Sequence, residues 1–275
     1  MTLSNQNKVL LTFSIISAAL FVFFVIGIIY FFMHSTSLAF FKDIFNSDFS
    51  MSRFLMEKNS FYVIISLLLM SVYVPVVCSI VHIAFEKTNS SEIIFFVAML
   101  FGFFAETARL AIPIFALEET YTLFLRYICR ISFFGQMHVA LSILLQGAFA
   151  NDQSTRETDR LLGVISIISL CLSLLIPINY STMKEFYIPI FGFQSIFEII
   201  RILIVALAVG AMLLSPLSRK SVDAKITSVG FFIIIAGYMA LLKSTMLLTV
   251  LIGIVGLTVG TYLYLRHLYA YYMWK

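Results

Sequence analysis

From Val9 to Met33 the chain runs without a single charged side chain. A stretch of about 25 residues, rising 1.5 Å per residue as a helix, is long enough to cross the roughly 30 Å hydrocarbon core of a bilayer. Lipid offers no partner for backbone N–H and C=O groups, so such a segment has to satisfy them internally, as a helix. It is longer than the core of a cleaved signal peptide, and with Lys8 just before it the reading is a retained first span.

Comparable runs follow at roughly 61–85, 93–117, 122–149, 161–178, 189–215, 226–242 and 245–272. The expected fold is all-α: a polytopic transmembrane helix bundle of about eight spans, forming a single transmembrane domain over residues 1–275 with no soluble domain. Seven spans is the alternative, because only Lys243-Ser244-Thr245 interrupts 226–272; a tight hairpin there gives eight. The chain is 61% hydrophobic and 12% charged. A soluble domain carries about 25% charged residues, so lipid is expected to cover most of this exterior.

Alternating the spans puts the N-terminus, the connections near 87, 151–160 and 216–225, and the C-terminus on one side, together with nine Lys and Arg residues. The other side has five, Lys42, Arg53, Lys58, Lys184 and Lys243, beside the acidic pair Glu118-Glu119. The positive-inside rule then makes both termini cytoplasmic, in an inner (plasma) membrane. The long outer connection 34–60 intersperses Phe40, Phe41, Phe45 and Phe49 with polar residues, which suggests an interfacial segment, passive or acting as a lid.

Ionisable residues inside spans are costly and are functional candidates by default. Counting inward from the outer ends places Glu106, Arg109, Arg130, Glu198 and Arg201 at about 12–18 Å depth. Glu106 with Arg109, and Glu198 with Arg201, stand three residues apart, on one helical face. Arg130 has no acidic partner on its own span, so the layer is expected to keep one cation available for an anion. Arg126, one turn outward, extends that face toward Glu118 and Glu119. His138 lies deeper on the same span; it is either a hydrogen-bonded interior residue or part of the ligand path.

Other features narrow the function. Net charge is +4 without a basic stripe, which argues against nucleic acid as a partner. Cys78, Cys129 and Cys171 lack paired spacing, and no metal or cofactor motif and no catalytic motif is found. Phe134 to His138 and Glu118-Glu119 resemble fragments of intramembrane CAAX-type proteases. That family has Arg four residues after its acidic pair where this chain has Leu123, and the activity is not assigned. Gly253, Gly256 and Gly260 form a small-residue face for packing within the bundle or for a homodimer. Pro75 and Pro113 permit kinks. Phe-Gly-Phe precedes Glu-x-x-Arg both at 101–109 and at 191–201, hinting at an internal repeat.

The expected function is binding of a small anionic or amphipathic solute at the midplane layer by a transporter or permease-like protein. Arg109, Arg130 and Arg201 would serve as donors, with Glu106 and Glu198 orienting them. The alternative is a sensor or assembly module acting through a membrane protein partner, with the charged layer purely structural.

Overall fold

The computed structural model describes residues 3–34, 58–86, 90–115, 117, 123–149, 158–179, 187, 189–219, 222–242 and 244–273. The interfacial reading of 34–60, and with it Glu118, Glu119 and Lys243, falls outside these residues almost entirely. Among the described residues eight long helices follow one another: α1 (Leu3–His34), α2 (Ser60–Ala84), α3 (Ser91–Ile114), α4 (Leu123–Ala148), α5 (Thr158–Leu175), α6 (Gln194–Arg219), α7 (Val222–Leu242) and α8 (Leu247–Met273). All eight are long and apolar enough to cross a membrane. α7 ends at Leu242 and α8 begins at Leu247, so 226–272 holds two helices.

The core forms where α2, α3, α4, α7 and α8 meet. Met70, Val74 and Cys78 pack there with Phe96, Met99 and Phe103, Val139 and Ile143, Phe231 and Ile234, and Leu257. Of the most apolar stretch of α3, 72% is buried, against 11% for α6, most of which is left uncovered by the rest of the protein. Local signals explain several helix features. Asn59 caps α2, its Oδ1 accepting from the Phe61 amide at 2.9 Å. Its own amide donates to the Thr245 carbonyl at 2.8 Å, which ties the start of α2 to the α7–α8 turn.

The two helical prolines act differently. α2 continues through Pro75, whose carbonyl accepts the Ser79 hydroxyl at 2.8 Å, and Ser79 meets Ser14 of α1 at 2.7 Å. In α3, Pro113 has no N–H for the Arg109 carbonyl, and its ring crowds that carbonyl. The helix winds into a 3-10 turn over Ala108–Leu110 before a last α-turn at Ala111–Ile114. Arg109 thus sits on the irregular turn.

The α5–α6 connection corrects the sequence boundaries. The sequence extends the two spans to 178 and back to 189, but α5 stops at Leu175, and Ile178–Asn179 pairs antiparallel with Ile190–Phe191 before α6 begins at Gln194. Pro177 and Pro189 lack donors, and the Gly192 amide donates to the Pro177 carbonyl at 2.7 Å, which favours a hairpin over helix. Phe133 of α4 packs on Phe191, ring centroids 4.6 Å apart, so this non-helical backbone lies against protein as membrane structure requires. The apparent Phe-Gly-Phe repeat is overturned: residues 101–103 lie in helix, while 191–193 are strand and turn, with Phe193 at φ 58°.

α7 and α8 pack along facing glycines. A Cβ on Gly256 would lie 2.9 Å from the Gly237 Cα, and one on Gly260 or Gly253 would meet Ile234 or Leu241 of α7. The glycine face of α8 is thus filled from within the chain. Gly256→Leu is expected to push the two helices apart at a cost of about 1–3 kcal/mol or more. Unfolding in dodecyl maltoside titrated with dodecyl sulfate checks this; a shift no larger than that of Gly163→Ala, where nothing lies within 4 Å of the added Cβ, would contradict it.

Candidate functional site

Two glycines bring α3 and α4 into backbone contact. A Cβ on Gly102 would stand 2.8 Å from the Gly135 carbonyl, and one on Gly135 would stand 2.6 Å from the Gly102 carbonyl and 2.9 Å from the Glu106 amide. This approach holds Gln136 against Glu106, one turn beyond Gly102.

Glu106 is fully buried, and both its oxygens accept hydrogen bonds. Arg109 donates to Oε1 at 3.1 Å, the i,i+3 pair expected from the sequence, and Gln136 Nε2 donates to the same atom at 3.1 Å. The Tyr238 hydroxyl of α7 donates to Oε2 at 2.9 Å. The Tyr238 ring is held by stacking on Phe103, centroids 4.5 Å apart. Arg109, 1% exposed, also donates to the Tyr187 carbonyl, at 3.4 Å from Nε and 3.3 Å from its second amino group. Tyr187 adopts φ 51°, a left-handed backbone that is uncommon for a tyrosine.

Arg201 of α6 joins through Gln136, donating to its Oε1 at 3.4 Å. Gln136 therefore accepts from one arginine and donates to the carboxylate held by the other. The Arg201 Nε is buried and has no hydrogen-bond partner among the described residues. Beside these groups lies a cavity of about 30 Å³, lined by Arg109, Gln136, Glu198 and Arg201 and by Pro189 and Phe191 of the hairpin. Such a volume holds about one or two water molecules. Glu198 stands on its rim and accepts from Gln194 at 2.7 Å.

The structure thus gathers Glu106, Arg109, Glu198 and Arg201 from the expected layer and separates the others. Arg130 lies where α4 packs on α5; Ser173 donates to its backbone carbonyl at 2.9 Å, and its Nε is buried without a partner among the described residues. Arg126 is exposed. His138, two residues past Gln136, is about 200° around α4 and stacks on Phe134 with centroids 5.3 Å apart, away from the cluster. The glycines at 253, 256 and 260 belong to the α7–α8 seam. The charges around the cavity balance, with two guanidinium groups facing two carboxylates.

Gln136 and Tyr238 were not among the residues singled out from the sequence. Scanning for charge passes over both, although an uncharged amide in the middle of a span carries the same need for partners. The cue was Gly135 beside Gln136, since a glycine inside a span marks close helix approach.

No protein-family model matches this sequence, and no curated protein matches it. The chain is an all-helical protein whose eight apolar helices suit a multi-pass membrane protein, with a buried polar cluster joining α3, α4, α6 and α7.

Proposed function

We propose that this protein binds a small anionic or amphipathic solute at the cavity between α3, α4 and α6, in the manner of a transporter or permease. The observation carrying this reading is the Arg201 guanidinium, which faces a cavity at bilayer depth with its Nε unpaired among the described residues. Buried cations of that kind are retained against a solvation cost of several kcal/mol, and they mark solute paths in membrane proteins.

Glu106 acts here as a built-in anion, taking up the donors of Arg109, Gln136 and Tyr238. A solute anion enters by displacing it. Because an added negative charge is costly in a low-dielectric layer, entry is coupled to protonation of Glu106, which keeps the local charge constant. A volume of about 30 Å³ suits an occluded state. α6, mostly bordered by lipid, is the element whose displacement enlarges the site. The charge asymmetry of the connections supports cytoplasmic termini in an inner (plasma) membrane.

Proteoliposomes loaded with buffer and challenged with formate, acetate, nitrate and phosphate under an imposed pH gradient test this. At least one anion is expected to accumulate, Arg201→Met is expected to cut the rate about tenfold or more, and Glu106→Gln is expected to remove its dependence on the gradient. Arg201 bonds Gln136 at 3.4 Å and also balances carboxylate charge at the cavity, so Arg201→Met is assayed on protein that keeps the wild-type elution profile in detergent. Uptake absent for every solute, or unchanged in Arg201→Met, would end this reading.

The small cavity and the saturated carboxylate favour a second reading, in which the cluster is a structural clamp in a sensor or assembly module. A stoichiometric partner that co-purifies with the wild type and with Arg201→Met alike supports it.

A further inference from the structure

We infer that the paired strands Ile178–Asn179 and Ile190–Phe191 are a displaceable plug, which closes the charged cavity on the side of the α5–α6 connection and is latched there by Arg109. What would pass the plug rests on the solute reading given above. The plug itself rests on its own backbone and contacts.

These strands lie below the ends of the neighbouring helices. α4 has 26 residues, about 39 Å of helix. Centred on a hydrocarbon core of about 30 Å, it leaves about 4–5 Å outside at either end. Phe133, on which Phe191 packs, stands ten residues past Leu123. That is about 15 Å along the helix, and so about 10 Å inside the hydrocarbon edge. Strand and turn at such a depth forgo the internal hydrogen bonds of a helix, and membranes tolerate them where they are buried in protein or line a water-filled cavity. This segment lines one: Pro189 and Phe191 form a wall of the cavity beside Arg109, Gln136 and Arg201.

The closed position is held by contacts that can be exchanged. Arg109 reaches across to the Tyr187 carbonyl at 3.3 and 3.4 Å, both longer than the usual spacing of about 2.9–3.0 Å. Phe191 rests on Phe133, and Ile178 on the apolar cluster around Ile112 and Cys129. The non-glycine residues with positive φ among the described ones both belong here, Tyr187 at 51° and Phe193 at 58°. Left-handed backbone is unfavourable for a residue with a Cβ and persists where its surroundings enforce it. The two residues bracket Ile190–Phe191, so this strain is relieved when the strand turns away from the bundle. The guanidinium that latches the plug is also the one paired with Glu106, which connects the carboxylate to the plug through one side chain.

The test needs no transport. In a chain whose three cysteines are replaced by alanine, Met137→Cys puts a thiol in the cavity wall and Glu86→Cys supplies an exposed reference. Nanodiscs leave both faces open. A membrane-impermeant methanethiosulfonate is larger than the cavity of about 30 Å³, so it reaches the thiol of Met137→Cys when the plug has moved. That thiol should react about a hundredfold more slowly than the reference, since its reaction waits on local opening. Gly192→Ala places a methyl group 2.4 Å from the Pro177 Cγ and should speed the reaction about tenfold by overpacking the closed form. Phe191→Ala, which removes the ring from Phe133, should speed it by a different route. Glu106→Leu with Arg109→Met removes the latch with its charge compensated, and should speed it about fivefold or more. Gly256→Ala, in the α7–α8 seam, loosens packing elsewhere and should leave the rate within about twofold. Rates are compared on variants that keep the wild-type elution profile in detergent. Equal rates for Met137→Cys and Glu86→Cys, no reaction of Met137→Cys in any hairpin or latch variant, or equal acceleration by Gly256→Ala would each overturn the plug. Failure of the uptake assay alone would end the solute reading and leave these rates, and the plug, standing.

Discussion

Glu106→Ala should lose about 3–5 kcal/mol of stability, the usual consequence of leaving a buried charge without its partner. Arg109 is 1% exposed, and its other hydrogen bonds among the described residues go to the Tyr187 carbonyl, which carries no charge to balance it. Gln136 and Tyr238 would lose their acceptor in the same step. The mechanism is separable, because an ion pair removed as a unit costs far less than one broken in half. The double variant Glu106→Leu with Arg109→Met should therefore recover most of the loss. It should stay below wild type by the roughly 1–3 kcal/mol each of donors left unmatched at Gln136 and Tyr238. Denaturation in mixed dodecyl maltoside and dodecyl sulfate micelles measures both variants. A double variant no better than the single one would show that charge compensation is not what holds α3, α4 and α7 together at this level.

The second large effect concerns a residue with no chemistry of its own. Gly135→Ala places a methyl group 2.6 Å from the Gly102 carbonyl and 2.9 Å from the Glu106 amide, both backbone atoms with nowhere to rotate. The helices must separate, which costs about 1–3 kcal/mol for this one methyl and more for Gly135→Val. Separation lengthens the 3.1 Å bond from Gln136 to Glu106, so the site is damaged together with the fold. Gly210→Ala in α6 is the control: nothing lies within 4 Å of its added methyl, and it should be neutral or slightly stabilising. If both substitutions behave alike, the α3–α4 contact is looser than these distances state.

Some of this was visible in the chain before any coordinates. Eight apolar runs separate at polar breaks because a bilayer sorts residues by polarity along one dimension, and a helix converts sequence length into depth at a constant rate. The i,i+3 pairing of Glu106 with Arg109 was likewise legible, since it depends on helical geometry alone. The helix boundaries around 176–193 were not, because apolar content there continues through a hairpin that prolines and a glycine divert from helix.

The composition of the polar cluster depended on which way each helix faces. Arg130 and Arg109 stand at comparable depth, yet Arg130 sits where α4 meets α5 while Gln136 reaches Glu106. His138, read from its deeper position on the same span as an interior residue or part of the ligand path, faces away from the cluster and stacks on Phe134. Depth is a property of position along the chain. Rotation about the helix axis is set by which neighbour packs where, and in apolar spans nearly every face is hydrophobic enough to meet either protein or lipid. Close backbone approaches at glycines, Gly102–Gly135, Gly237–Gly256 and Gly147 on Ala208 among them, settle that choice, because there two helices come near enough to fix the facing of the residues around them.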